Sequence, residues 1–377
     1  MNCTALERIK SITERNVLNL QAAKAAGRPV VGEFCIYSPM ELAMAAGAIP
    51  VSLCGTKNDA IPAAETVLPR SICPLIKSSF GFALQDSCPY LAASDLIVGD
   101  TTCDGKKKMF ELLGRRKPLF LLQLPQTQDA DALAYWRAQY VKLLHFYEER
   151  FHTVITEERL RASIRLMNRF RTALKRVYDS AMRDPAPLGG MELLECGFRL
   201  SFMADKELAV TLLEELDAEL QQCDPPAERA GRPRILLTGV PTGMGSHKLI
   251  HLLENCGASV VCIDNCSAYK KTRLLIDEEK DPLTALAERY LETPCAVMSP
   301  NPRRYETLRR LARDFRADGI VDLTWQGCQT YEIEAHSVKT FARDDLGLPF
   351  LHVVTDYSST DVEQLKVRVE AFLEMIG

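Results

Sequence analysis

The chain has 377 residues, a formal net charge of −4, 47% apolar residues and 25% charged residues. That length favours two domains, and that composition supports a sizeable buried core over disorder. The acidic balance, with no Lys/Arg stripe interleaved with aromatics, argues against nucleic acid as a partner; no apolar run approaches the ~20 residues that span a bilayer, and Met1–Glu7 lacks a basic segment ahead of an apolar core, so a cytoplasmic protein is expected.

Residues 1 to 27 read as an amphipathic helix stopping near Gly27-Arg28-Pro29. Val30–Phe34 reads as a strand with Cys35 at its end, Pro39–Gly47 as a helix with Pro in its first turn and Gly at its close, and Ala48–Leu53 as a second strand ending in Cys54-Gly55. A loop-rich region follows, carrying Cys73-Pro74 and Cys88-Pro89; Pro holds each preceding cysteine extended. Asp95–Gly99 is a buried strand that leads through Thr101-Thr102-Cys103-Asp104-Gly105-Lys106-Lys107-Lys108 into the helical Met109–Leu113, and Pro118–Pro125 is a fourth strand. Residues 126 to about 228 show helical spacing and almost no strand signal, with a break at Asp184–Gly190. Beyond a Pro-rich linker (Cys223–Pro226 and Gly231–Pro233) a second α/β pattern begins: strands at Arg234–Thr238, Ala258–Asp264, Gly319–Trp325 and Pro349–Val354. Strands alternating with helices indicate parallel sheets covered on both faces. The expected fold is therefore α/β: two Rossmann-like parallel-sheet domains, at residues 1–125 and 231–377, with a helical segment at 126–230 and the functional site in the cleft between the domains.

Thirteen cysteines are present. The chain is too long for a disulfide scaffold, a reducing compartment is expected, and an odd number cannot pair fully. Cys3, Cys196, Cys223, Cys256 and Cys262 fall in helical or strand-interior contexts and read as small buried hydrophobes. Cys35, Cys54, Cys73, Cys88, Cys103, Cys266, Cys295 and Cys328 fall at strand ends or beside Pro and Gly, where a side chain can face a cleft. No Cys-x-x-Cys pair occurs, which argues against structural zinc and against a ferredoxin-type run. A soft-metal site assembled from several loops fits the pattern, and so does simple packing. A nucleophilic enzyme is another reading, with Cys103 beside Asp104 and Lys106 and with His336 or His352 from the second half; it explains one cysteine and leaves seven. Gly239–Lys248 follows a strand and is Gly-containing. It lacks the Walker spacing and the dinucleotide fingerprint, so it reads as a strand-to-helix turn or as a cradle for an anion at a helix start.

An ordered set of short segments adds a resemblance. Gly32-Glu33-Phe34-Cys35, Pro39-Met40-Glu41, Ala45–Pro50, Cys73–Ser78, Asp95–Val98 and Thr102–Lys107 in the first half, and Asp264–Ser267, Cys295 before Ser299-Pro300-Asn301, Asp318–Asp322 before Cys328, and Thr355-Asp356-Tyr357 in the second, resemble the 2-hydroxyacyl-CoA dehydratase and benzoyl-CoA reductase superfamily. Within it, the extra cysteines Cys35 and Cys266 look most like the double-cubane cluster proteins. The resemblance implies an 8Fe-9S double cubane on six thiolates, Cys35, Cys73, Cys103, Cys266, Cys295 and Cys328, with Cys54 and Cys88 as reserves. It also implies a reductase, acting as a homodimer on a small substrate, that receives low-potential electrons from a separate activator ATPase carrying its own 4Fe-4S cluster. The alternative within the same superfamily is a 2-hydroxyacyl-CoA dehydratase subunit with one 4Fe-4S cluster on Cys73, Cys103 and Cys328. Lys106 and Lys107, with Lys108, would offset cluster charge or form a solvated helix face. Glu41 matches a position that approaches cluster iron in relatives, or acts as a helix-start carboxylate bonded to amides.

Overall fold

The computed structural model describes residues 4–376; Cys3 lies outside the described residues. Among those residues, eight strands form two separate four-stranded sheets. In the first half they are β1 (Val30–Glu33), β2 (Ile49–Ser52), β3 (Leu96–Asp100) and β4 (Leu119–Leu122), in the spatial order β2-β1-β3-β4. In the second half they are β5 (Arg234–Gly239), β6 (Ser259–Asp264), β7 (Gly319–Trp325) and β8 (Phe350–Thr355), in the order β6-β5-β7-β8. Every pairing is parallel. The two halves thus share one topology, as the sequence pattern predicts.

The residue types account for the positions. The inner strands β1, β3, β5 and β7 are buried along their whole length, which suits near-continuous Val/Ile/Leu runs covered on both faces. Pro50 lacks an amide donor and is tolerated because β2 is an edge strand. In each sheet the chain leaves the first strand for one side and returns to the other, so the switch points lie between β1 and β3 and between β5 and β7. Crevices at the carboxyl ends of such points are where open α/β sheets bind ligands.

The middle segment is helical as expected: Ala130–Phe151, Glu157–Asp179, Gly190–Ser201 and Lys206–Gln222. These helices tie the halves together. Helix Glu157–Asp179 packs on helix Met40–Ala45 of the first half, and helix Ala130–Phe151 packs on helix Pro282–Leu291 of the second. Trp136, fully buried, anchors the latter layer against Tyr37 and Tyr140, with ring centroids 6.2 and 4.8 Å away. The single helix expected over residues 1–27 is instead two, Thr4–Glu14 and Asn16–Ala25. Near the break, the Thr13 hydroxyl donates to Ile9 O at 2.8 Å and Lys10 O at 3.0 Å, a local bond that competes with the helical ladder. The first of the two packs on helices Gly190–Ser201 and Lys206–Gln222, so the chain start belongs spatially to the helical layer.

Candidate functional site

The loops leaving β1, β2, β3, β5, β6 and β7 converge on one cavity of about 740 Å³, walled also by helices of the middle segment. Cys35, Cys54, Cys73, Cys103, Cys266, Cys295 and Cys328 all line it. These are the six residues implied by the resemblance, together with one of the two reserves. Cys88, the other reserve, lies elsewhere; its sulfur accepts from Leu91 N at 3.5 Å and caps helix Pro89–Ala93. Cys196 and Cys262 are buried in a helix and a strand, as their sequence contexts suggest.

The thiols fall into two groups. Cys73, Cys103 and Cys328 each stand at the N-cap of a helix, Pro74–Gln85, Asp104–Leu113 and Gln329–Asp344. Helix amino termini present free amides and a positive dipole end, which favour thiolate and anything anionic attached to it. Lys106 N donates to Cys103 Sγ at 3.5 Å. Cys73 and Cys328 share a hydrogen bond, which pushes the Cys73 thiol up and pulls Cys328 down. Gly327 makes that meeting possible. It holds φ +77°, and a Cβ there would fall 2.4 Å from Ser71 O, so only glycine lets the loop before Cys328 close on the loop before Cys73.

Cys35, Cys266 and Cys295 form the second group. Cys35 and Cys266 are both raised, first by burial, and each also feels Cys295. All three surround Tyr37. Cys35 has φ +95°, a backbone conformation that side-chain-bearing residues rarely adopt and that persists where the surroundings impose it. Cys54 is within electrostatic reach of Cys266, and Tyr357 stands within reach of Cys54, Cys73 and Cys328 alike.

Each group mixes residues from both sheets. Among the described residues no three His, Cys, Asp or Glu side chains converge as the ligands of a single metal ion do. Thiols spread around a cavity suit a polynuclear cluster, in which different irons take different cysteines. The cavity wall fits such a group in a second way: Thr102 Oγ1 and Tyr331 Oη are buried atoms of lining residues with no hydrogen-bond partner among the described residues, free to donate to sulfide or thiolate.

Residues 35–376 match the family described as 2-hydroxyglutaryl-CoA dehydratase, D-component. This chain belongs to that family. The YjiM protein of Escherichia coli (strain K12) is 41% identical over 361 residues, covering 95% of this chain and 94% of YjiM. The (R)-phenyllactyl-CoA dehydratase beta subunit of Clostridium sporogenes is 24% identical, over 93% of this chain and 92% of that protein. A benzoyl-CoA reductase component of Thauera aromatica is 24% identical, over 81% of this chain and 77% of that protein.

In this member of the dehydratase D-component family the three lysines after Cys103 separate. Lys106 lines the cavity, and its ammonium bonds the fully buried Asp100 at 3.2 Å; burial opposes its charge, but Asp100, Cys35 and Cys103 outweigh burial and raise its proton affinity. Lys107 and Lys108 do not reach the cavity; they are exposed and pair with Asp104 and Glu111 on their own helix. The helical rotation per residue allows only one of the three to face inward. Glu41 is fully buried but takes neither of its expected roles: Arg171 Nη2 and Tyr290 Oη (2.8 Å) donate to its two oxygens. The Gly239–Lys248 segment is a turn packed on the other half of the molecule. Thr56 Oγ1 donates to Met244 O at 3.1 Å, and Gly245, at φ +117°, lies where a Cβ would come within 2.8 Å of Lys57 Cγ. Among the described residues no histidine lines the cavity, which removes the base required by the nucleophilic-cysteine reading; His352 Nε2 meets Thr324 Oγ1 at 3.1 Å instead. Sequence reasoning missed Glu33, Arg171, Lys206, Lys271 and Tyr290, all cavity-lining, because single polar residues within ordinary helix and strand contexts carry no spacing signal.

Proposed function

We propose that this chain is the iron–sulfur component of an ATP-driven reductase, holding an 8Fe-9S double cubane on Cys35, Cys73, Cys103, Cys266, Cys295 and Cys328. The observation that carries this reading is that six of the cavity's seven cysteines fall into two groups of three, with Cys54 outside both. Two cubanes joined through one sulfide need three thiolates each, whereas a single cubane on Cys73, Cys103 and Cys328 leaves a second group, with Cys35 held in a strained conformation, without a purpose. When bound, such a cluster stores low-potential electrons and passes them to a substrate.

The chain's own residues supply the environment. Lys106 places a buried positive charge beside Cys35 and Cys103 and limits the electrostatic cost of added electrons. Thr102 and Tyr331 offer hydrogen bonds that tune the potential. Burial pushes the half-buried thiols of Cys35 and Cys103 up, against the pull of Lys106 toward thiolate, and metal binding displaces their protons. Electrons come from a separate activator ATPase with its own 4Fe-4S cluster; the one Gly-containing turn that invited a nucleotide is packed against Thr56 and Lys57. The working assembly is a homodimer acting on a small molecule.

Iron and acid-labile sulfide per chain, measured after strictly anaerobic purification, test this reading. About eight irons with slightly more sulfide support it. About four, unchanged in Cys35→Ser and lost in Cys103→Ser, select the other reading, a 2-hydroxyacyl-CoA dehydratase subunit with one 4Fe-4S cluster, which the names of several relatives favour. An iron-free chain from an iron-replete anaerobic preparation overturns both.

A further inference from the structure

The cavity has an end that the thiols do not explain. Met167 and Phe170 from helix Glu157–Asp179, and Phe198 and Phe202 at helix Gly190–Ser201, wall it with apolar surface. Two ammonium groups face the same space, Lys206 and Lys271. Lys206 is 4% exposed; one of its protons goes to Ser201 O at 3.1 Å, and its nitrogen stands 5.8 Å from the Phe170 ring. Lys271 donates to Gly197 O at 3.0 Å. Neither ammonium has a carboxylate in ion-pair contact among the described residues. A buried charge without a counter-charge is costly, and each ammonium keeps donors unspent.

Lys271 lies near Cys54 and Cys266, so an anionic cluster would partly offset it. That account does not extend to Lys206. The charged groups that act on Lys206 are Lys271, which repels it, and Glu33, which attracts it; no thiol is among them. Burial and Lys271 together lower Lys206 to about 7, and an anion beside the ammonium would offset both. Glu33, at the end of β1, is 2% exposed, lines the same space and has both carboxyl oxygens without a hydrogen-bond partner among the described residues. Unpartnered donors and an unpartnered carboxyl around an apolar-walled space describe a binding site for a ligand with polar and apolar parts.

We propose that this end of the cavity is the substrate site, and that the substrate is a small organic acid whose carboxylate is held by Lys206 and Lys271 while Met167, Phe170, Phe198 and Phe202 enclose its apolar body. Glu33 takes a hydrogen-bonding group on that body. The proposal rests on the cluster reading only for what happens to the bound acid; binding itself requires no cluster. It deepens the reductase reading by naming a free acid as the substrate class.

The test uses the anaerobically purified full chain at fixed ionic strength, with 3-phenylpropanoate and hexanoate as probes and their neutral amides as controls. Saturable binding is read by equilibrium dialysis and by the rise in melting temperature that a native-state ligand produces. Both acids are expected to bind and stabilise, and both amides to do neither. Lys206→Met and Lys271→Met are expected to lower acid affinity at least tenfold, and Lys206→Arg to retain it. Iron is counted on the same samples, so a failed cluster and a failed acid site are read separately. Equal responses to acid and amide in the wild-type protein, or wild-type acid affinity in both methionine variants, overturn the proposal. The acid-against-amide comparison needs no variant and stands even where a variant does not fold.

Discussion

Glu41→Ala is the substitution that separates a scaffolding carboxylate from a metal ligand. Both oxygens of Glu41 are spent, one on Arg171 and one on Tyr290, and the residue is fully buried. Its partners lie on helices Glu157–Asp179 and Pro282–Leu291, so this one carboxylate joins the first sheet domain, the helical layer and the second half. Removing it strands the Arg171 guanidinium, 4% exposed, without a counter-charge. The loss of one partner of such a buried pair costs ~3–5 kcal/mol. Scaled at the lower end of the usual response, ~2 °C per kcal/mol for a large domain, this is a fall in melting temperature of about 6–10 °C. The double variant Glu41→Ala/Arg171→Met removes both charges and recovers part of that loss, because the stranded cation is then absent. Thermal unfolding of the anaerobic protein, with iron counted beforehand, is the assay. An unchanged melting temperature accompanied by lost iron would show that Glu41 serves the metal and not the scaffold.

Three further outcomes follow from the structure. Lys206→Met should stabilise the chain most at low pH. The lysine's proton affinity is lowered from the free value to about 7 by burial and by Lys271, so its penalty is full below pH 7 and fades as pH rises toward ~10.4. The stability difference between variant and wild type, measured by denaturant unfolding, should therefore approach ~5 kcal/mol at most near pH 6 and shrink by pH 9; a difference independent of pH contradicts it. Gly245→Ala should destabilise by about 1–3 kcal/mol, because φ +117° is strained for alanine and its Cβ would meet Lys57 and Thr56. Loss of stability with unchanged iron is expected, and a neutral variant would show the turn is not held against the first half. Cys88→Ala should leave iron unchanged and cost at most ~1 kcal/mol, since this sulfur only caps a short helix; any loss of iron would return it to the ligand set.

The layout of the chain is legible in its amino-acid order. Apolar runs bounded by Gly and Pro marked the eight strands, and helical spacing marked the middle segment, because burial on both faces of a parallel sheet leaves near-continuous apolar runs that need no partner to be seen. It also singled out the cysteines at strand ends, since a loop at a sheet's carboxyl edge is where a side chain can turn into a crevice. Their assembly was decided only in three dimensions. Cys73 and Cys328 meet because Gly327 lets two loops 255 positions apart close on each other, and no local rule predicts a contact at that distance in the chain. The same holds for charge. Lys106, Lys107 and Lys108 are equivalent in the string, yet the start of the helix at Asp104 turns one toward buried Asp100 and the other two toward water. Lys206 and Lys271 belong to no motif, and the Gly32-Glu33-Phe34-Cys35 segment assigns Glu33 no role. They become a site because three different parts of the chain deliver them, without ion-pair partners among the described residues, to one cavity, and the cost of burying such groups gives them their meaning.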